Sequence, residues 1–233
     1  ITTNDVNIGG FLNMLVAARD SNIRRFIFAA SSSTYGDNTD LPKKEDNIGR
    51  PLSPYALTKY VDELYADVFA KTYGIEYIGL RYFNVFGRRQ DPNSMYAAVI
   101  PLFIKQFLNH KQPKINGDGL NTRDFTYIDN VLHMNMLALN TTNTQAVNQI
   151  YNTAGGGRTS INKLANEIKS CLVQYDFSIS DINPIYGAYR LGDIPHSFAS
   201  IDKAKQLLGY SPLVSFQEGL NETVKWYVNN KNY

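Results

Sequence analysis

The chain has 233 residues, of which 43% are hydrophobic, so it can form one large domain or two small ones around a substantial core. Its net charge is only +2, and no run of five like charges occurs, which argues against nucleic acid or an anionic membrane surface as a partner. No apolar stretch is long enough to cross a bilayer. The single cysteine, Cys171, lies in a helical pattern that predicts a buried, inert thiol, which fits a reducing, cytoplasmic setting.

Helices and strands alternate in the first part of the chain. Helical spacing of apolar residues around Phe11 to Ala18 precedes an apolar strand, "RRFIFAASS". A second helix is predicted from Pro54 to Tyr73, ended by Gly74, and a buried strand, "IEYIGLRYFNVFG", follows it. This alternation predicts a Rossmann-like, doubly wound parallel sheet. The residues predicted to form the buried apolar face of the second helix are Val61, Leu64, Val68 and Phe69.

The regular alternation of predicted helices and strands ends at about Gly87. Short strands are predicted at "PKIN", "DFTYI", "QIYNTA" and "INPIY", with a helix over 162–172. Ser215 and Glu218 form the sequence pattern of a capping box at the start of the last helix. We therefore expect residues 1–86 to be the remainder of a dinucleotide-binding domain. Residues 87–233 would form a smaller α+β lobe, with some segments returning to the sheet and the ligand in the cleft between the lobes.

Polar residues of the first part cluster where the parallel strands are predicted to end. In a doubly wound sheet, ligands bind at the carboxyl ends of the strands. Ser31 to Ser33 and Phe83 to Asn84 occupy two such ends. In "LSPYALTK", Tyr55 and Lys59 lie one helical turn apart on the same side of the intervening helix. These segments are therefore predicted to meet at one site.

The spacing of Tyr55 and Lys59 suits proton transfer. A phenol with a pKa of about 10 is a poor base at neutral pH, but a nearby ammonium favours its ionised form. A serine hydroxyl from the strand end can bind the substrate oxygen whose proton the tyrosine moves. The same spacing also fits an exposed tyrosine and lysine without chemistry, which is our interpretation of the second pair, Tyr227 and Lys231. The sequence predicts no metal site.

Six motifs that occur in this order along the chain carry a family resemblance. They are "ASSSTYG" (30–36), "SPYALTK", "LRYFNVFGRRQDP" (80–92), "NGDGLNTRDFTYIDN" (116–130), "YNTAGGGRTS" (151–160) and "YRLGDIPHS" (189–197). Together they resemble the extended short-chain dehydrogenase/reductases, and within them the bacterial UDP-N-acetylglucosamine 4-epimerases. The family's Gly-x-x-Gly-x-x-Gly fingerprint is absent from these 233 residues. We therefore expect that an N-terminal part is missing and that these residues alone are inactive and do not bind NAD stably.

The resemblance implies roles for the residues at the strand ends. Tyr55 resembles the catalytic acid/base and Lys59 the residue that holds the nicotinamide ribose of NAD and promotes ionisation of the tyrosine. Ser31 resembles the catalytic serine or threonine, with Ser32 and Ser33 beside the substrate, and Phe83 resembles a wall of the cofactor site. Related dehydratases carry Asp and Glu where this chain has Ser32 and Ser33, so the resemblance favours redox-neutral epimerisation through a 4-keto sugar.

The resemblance also implies a nucleotide-sugar site. Arg123 and Arg190 resemble the arginines that bind a UDP diphosphate, as a planar and permanently charged guanidinium does well. Asp193 would bind the uridine ribose. A small residue, Ser197, stands where enzymes restricted to plain hexoses have tyrosine, which favours UDP-GlcNAc/UDP-GalNAc as the substrate pair. The other residues that match substrate-lining positions are Asn84, Ala98, Val99, Lys114 and Asn116.

Alternatives remain open at this point. A UDP-glucose or UDP-hexuronate 4-epimerase would share these motifs, and a non-catalytic domain that binds nucleotide or another protein would share the fold. Related enzymes commonly form homodimers through the helix that follows Tyr55 and the helix that begins near Asn7. A stripe that faces the core of the same chain explains the apolar residues of those helices equally well.

Overall fold

The computed structural model describes residues 1–93, 98–189 and 194–230, which form two compact units. The first unit contains Ile1–Phe83, Val131–Ala154 and Ala199–Ser211. The second contains Asn84–Asn130, Gly155–Phe198 and Pro212–Tyr233. Among the described residues, none of the helices combines the length and apolar character that a membrane crossing requires.

The first unit is built around a three-stranded sheet. Its elements are a short helical turn Thr2–Asn4, a π-helical turn Asp5–Gly9, α1 (Gly10–Asp20), β1 (Arg25–Ser31), a 3₁₀ turn Ser32–Tyr35, α2 (Pro54–Tyr73), β2 (Glu76–Tyr82), the part of α4 (Ile128–Asn140) that begins at Val131, β7 (Gln149–Thr153) and α6 (Asp202–Leu208). The strands run parallel in the order β1-β2-β7. This confirms the predicted parallel sheet with intervening helices.

The strand register brings three carboxyl ends to one edge. Ser31 of β1 is opposite Tyr82 of β2, and Tyr82 is opposite Thr153 of β7. The prediction of one continuous strand through "NVFG" was wrong, because Asn84 has a positive φ of 35° and interrupts it. A separate strand, β3 (Val85–Phe86), follows the break.

Helix α2 begins and ends where its sequence predicts. The Ser53 side chain caps its first turn by accepting a hydrogen bond from the backbone N–H of Ala56, and Gly74 ends it in the left-handed conformation. Its predicted buried face was right for Phe69, which is buried, and wrong for two of the four residues, while Val61 is partly buried. Leu64 and Val68 are 48% and 53% exposed, while the buried residues of the helix are Ala56, Thr58, Asp62, Glu63, Ala66 and Phe69.

A buried ion pair explains part of this difference. Arg81 of β2 donates two hydrogen bonds to the Glu63 carboxylate, at 2.8 and 2.7 Å, and a third to the backbone carbonyl of Glu45 at 2.9 Å. Its guanidinium also lies 4.8 Å from the centre of the Tyr35 ring. Burial opposes the charge of Arg81, but Glu63 and Tyr35 hold the pKa of Arg81 above its ordinary value. The pair attaches helix α2 to the central strand.

The second unit has its own core. Its elements are β3, α3 (Val99–Leu108), β4 (Lys114–Asn116), β5 (Thr122–Arg123), β6 (Thr126–Tyr127), the first residues of α4, β8 (Thr159–Ser160), α5 (Ile161–Val173), a 3₁₀ turn Phe177–Asp181, β9 (Ile185–Gly187) and α7 (Phe216–Asn229). Its two-stranded pairings are β3-β6, β4-β9 and β5-β8. One cluster of buried apolar residues from α3, α5 and α7 holds these elements together, and it includes Cys171.

Several short-range predictions for the second unit hold. The capping box of Ser215 and Glu218 is present at the start of α7, with both reciprocal hydrogen bonds. Helix α5 contains the predicted 162–172 segment, and β4 contains most of "PKIN". The strand expected at "INPIY" begins later, at Ile185, and the strand "QIYNTA" belongs to the sheet of the first unit.

Candidate active site

A compact turn follows the end of β1. The Ser31 hydroxyl accepts a hydrogen bond from the backbone N–H of Ser33 at 3.2 Å and lies 2.9 Å from the Ser33 hydroxyl. The turn ends at Gly36, where φ is 54° and an added Cβ would lie 1.8 Å from the backbone oxygen of Arg50. Only glycine fits there, which accounts for the "YG" that follows the serines. Ser31 and Ser33 are thus brought together, while Ser32 begins the 3₁₀ turn.

Tyr55 and Lys59 lie on the first two turns of α2, which packs against β1 and the serine turn. The Tyr55 side chain is 47% exposed, so its ring is open to a ligand. Lys59 is mostly buried and donates hydrogen bonds to the backbone carbonyl of Ala29 at 3.1 Å and to the Asp62 carboxylate at 3.3 Å. The ammonium of Lys59 is therefore fixed against strand β1.

These two residues fit the ribose end of a nicotinamide cofactor. An ammonium has three N–H donors, and the bonds to Ala29 and Asp62 use two of them. Lys59 thus retains a donor, and the exposed Tyr55 hydroxyl can donate or accept, which suits a ribose diol. Phe83 fits such a site less well. Its ring is 1% exposed and packs with Tyr35, Ala154 and Ala199, so it lies in the core and offers no open surface to a cofactor.

Six predicted substrate residues line one cavity of the second unit. It has a volume of about 400 Å³ and receives side chains from β3, α3, β4 and β5. A volume of this size is typical of small-molecule sites. The six residues are Asn84, Ala98, Val99, Lys114, Asn116 and Arg123.

Local geometry orients the polar residues of this cavity. The strained backbone of Asn84 directs its side-chain amide to the backbone carbonyl of Asp124, at 2.9 Å. The Arg123 guanidinium donates to the carbonyls of Thr122 and Pro195, at 3.0 and 3.2 Å. Arg123 and Asn84 are therefore anchored by backbone contacts rather than free to rotate.

The charge of the cavity favours an anion. Lys114 and Arg123 are both cations, and no carboxylate occurs among the described residues that line the wall. A guanidinium and an ammonium suit a phosphate group. No group of three or more His, Cys, Asp or Glu residues in the described ranges could hold a metal ion.

The remaining predicted residues are distributed as follows. Ser197 is half-buried, and its backbone N–H donates to the carbonyl of Thr122 at 3.0 Å, next to Arg123. Arg190 and Asp193 lie outside the described residues.

Sequence reasoning missed some of these features. The apolar wall of the cavity includes Phe86, Phe103 and Phe125, which read as ordinary core residues from their spacing. It also missed Asp62, although an acidic residue three positions after Lys59 on one helix face was a usable signal.

The chain is similar to a known protein family and to several solved structures. Residues 1–154 match the family described as "NAD dependent epimerase/dehydratase family". A UDP-N-acetylglucosamine 4-epimerase from Methanobrevibacter ruminantium, solved with UDP-N-acetylmuramic acid, is 41% identical, with a TM-score of 0.90, over 97% of this chain and 70% of its own. A UDP-glucose 4-epimerase from Thermotoga maritima, solved with UDP-glucose, is 35% identical, with a TM-score of 0.89, over 97% of this chain and 71% of its own.

A third structure includes the cofactor. The UDP-glucuronic acid 4-epimerase from Bacillus cereus, in complex with UDP-glucuronic acid and NAD, is 31% identical, with a TM-score of 0.87, over 99% of this chain and 69% of its own. The chain thus spans about 70% of the length of these proteins. It belongs to the NAD-dependent epimerase/dehydratase family of the short-chain dehydrogenase/reductases.

Proposed function

We propose that this chain carries the catalytic helix and the nucleotide-binding cavity of an NAD-dependent UDP-sugar 4-epimerase. The observation that carries the proposal is the cavity of the second unit, where six residues predicted from the family resemblance converge and the charged side chains of the described lining are Lys114 and Arg123. Two cations among apolar walls suit the diphosphate and the flat base of a nucleotide. NAD, when bound, supplies the acceptor and donor of a hydride at C4 of the sugar.

The residues of the first unit handle the proton. Tyr55 takes the proton of the sugar 4-hydroxyl and later returns one to the 4-keto oxygen. Lys59 binds the nicotinamide ribose with its remaining donor and favours the ionised tyrosine through its charge. Ser31, held by Ser33, hydrogen-bonds the same sugar oxygen and keeps it in line with Tyr55.

The side chains near Ser31 favour epimerisation over dehydration. Elimination of water needs a further acid and base, and the two residues after Ser31 are serines, which do not supply them at neutral pH. The reaction therefore returns the hydride to the same carbon, and the overall change is redox-neutral.

Within this class, we propose UDP-GlcNAc and UDP-GalNAc as the substrate pair. The small Ser197, next to the anchored Arg123, leaves room for an acetamide that a tyrosine would fill. UDP-glucose and UDP-hexuronate epimerases among the similar structures keep those sugars as the second candidates. Turnover of a panel of UDP-sugars, with the products separated by chromatography, distinguishes the three.

The decisive variant is Tyr55→Phe in the natural protein that contains this chain. Loss of a positioned proton-transfer group should lower kcat by about 10²- to 10⁴-fold, with little change in affinity for UDP. Tyr60→Phe is the matched control, because Tyr60 lies about 140° around the same helix from Tyr55. A Tyr55→Phe enzyme within a fewfold of wild type would remove Tyr55 from this role. A protein that binds UDP but converts no UDP-sugar would instead be a non-catalytic nucleotide-binding domain.

A further inference from the structure

Asp62 shares a helix face with the two proposed catalytic residues. At about 100° per residue, Lys59 and Asp62 lie only about 40° and 20° around the α2 axis from Tyr55. Asp62 is seven residues after Tyr55, about 10 Å along the axis. The face that presents Tyr55 and Lys59 therefore also carries a carboxylate.

This carboxylate is buried and incompletely satisfied. The Asp62 side chain is 1% exposed, and its Oδ2 atom lies 3.3 Å from Nζ of Lys59. Its Oδ1 atom is buried and has no hydrogen-bond partner in the described part of the chain. An ionised carboxylate without water requires a compensating charge, so Lys59 is the group that makes this burial tolerable.

Lys59 in turn depends on Asp62 for its position. The ammonium has two anchors, the carbonyl of Ala29 and the carboxylate of Asp62. A long lysine side chain held by one neutral carbonyl would move more freely than one held also by an ion pair. The carboxylate therefore narrows the positions that the ammonium can occupy relative to β1.

The other charged and titratable groups around this site are already engaged or exposed. Glu63, next to Asp62, is paired with Arg81 of β2. Burial raises the pKa of Tyr77 on β2 and of Tyr35 in the serine turn to about 12, so both phenols are neutral. Strand β1 contributes the Ala29 carbonyl, and Asp5, in the helical segment that packs alongside α2, is exposed. Lys59 is thus the cation in direct contact with Asp62.

Burial raises the pKa of the Asp62 carboxyl, the Lys59 charge opposes this rise, and the neighbouring Glu63 adds to it. The net direction shows that burial outweighs the attraction of Lys59. Because Oδ2 of Asp62 lies 3.3 Å from Nζ of Lys59, the two groups act on their surroundings as a pair.

We propose that Asp62 is a positioning residue of the active site, which holds the Lys59 ammonium against strand β1 and weakens the positive field that Lys59 exerts on the Tyr55 hydroxyl. The inference rests on the proposed function. It assigns the pH range of catalysis to three residues of one helix face rather than to Tyr55 and Lys59 alone.

Neutralising Asp62 should strengthen the field at Tyr55. In Asp62→Asn, the Lys59 charge is no longer offset, so Tyr55 loses its proton more readily. The pH of half-maximal kcat on the acidic side should move down by about half to one pH unit, the size expected for one charge about 10 Å away near a protein surface. Asp62→Ser, neutral and smaller, predicts the same direction if the Asn variant does not fold.

A second measurement needs neither turnover nor bound NAD. Without its carboxylate partner, the Lys59 amine should react faster with an amine-labelling reagent. The labelled fraction of Lys59 after a fixed time, determined by peptide mass spectrometry, should rise about threefold or more in Asp62→Asn. The matched control is Asp67→Asn, which removes the acid of the exposed Asp67–Lys71 pair on the same helix and should change neither readout.

The outcomes separate the inference from the function on which it rests. The inference is overturned, and the function stays intact, if the wild-type enzyme epimerises and Asp62→Asn has the same pH of half-maximal kcat on the acidic side. This holds whatever the labelling shows. A lower pH of half-maximal kcat on the acidic side, together with faster labelling of Lys59, supports the inference. If the wild type converts no UDP-sugar, the proposed function fails, and unchanged labelling of Lys59 would then also refute the holding role of Asp62.

Discussion

The ion pair between Glu63 and Arg81 offers a sharp test of how helix α2 is held. Both side chains are almost fully buried, 6% and 3% exposed, and their two parallel hydrogen bonds join α2 to β2. Glu63→Gln keeps the shape of the side chain but removes its charge. The Arg81 cation then remains buried with three uncharged partners, which are the new amide oxygen, a backbone carbonyl and the Tyr35 ring.

The expected loss of stability is large. Removing one member of a buried pair costs about 3–5 kcal/mol, because the other charge stays desolvated. Since glutamine can still accept one hydrogen bond from Arg81, we expect the lower end, about 3 kcal/mol. For a chain of this size this corresponds to a fall in Tm of about 6–12 °C. Thermal unfolding followed by far-ultraviolet circular dichroism measures it.

The same helix provides the control. Asp67 and Lys71 also form an ion pair, but their side chains are 41% and 72% exposed. Asp67→Asn should therefore cost less than about 0.5 kcal/mol. Replacing both buried partners, as in Glu63→Leu/Arg81→Met, should recover much of the loss of the single variant. Equal, small losses for Glu63→Gln and Asp67→Asn would refute the argument that burial makes the first pair essential.

Two further predictions concern the proposed nucleotide-sugar site. Arg123→Met should weaken UDP binding about tenfold or more, because a charge-assisted contact is lost. The control, Arg88→Met, changes an arginine that is paired with Asp129 away from the cavity wall and should leave UDP binding unchanged. Calorimetric titration with UDP measures both affinities, and equal affinities in the two variants would exclude Arg123 from the site. Ser197→Tyr should suppress turnover of acetylated UDP-sugars and spare UDP-glucose, and Ser197→Ala should leave both; similar losses on both sugars in the tyrosine variant would contradict the assigned role.

Features governed by neighbouring residues could be predicted from the sequence. The limits of α2 follow from a serine cap, an early proline and a terminal glycine, and the capping box of α7 follows from two residues three positions apart. The alternation of helix and strand predicts the parallel sheet, and with it the edge where Ser31 lies. The helical turn between Tyr55 and Lys59 is likewise a local property.

Only the tertiary structure decided which face of α2 is buried. Periodicity predicts that Leu64 and Val68 are buried, but the helix instead turns Asp62 and Glu63 inward. Their carboxylates pair there with the cations Lys59 and Arg81. No local pattern reveals the pairing of Glu63, since Arg81 is 18 residues from Glu63 in the chain. The cavity of the second unit also depends on packing, because Asn84, just before β3, and Arg123 of β5 are about 40 residues apart in the chain and line the same cavity only when the unit folds. Hydrogen bonding along the chain sets the elements, whereas charge pairing and close packing between distant segments select the faces that meet.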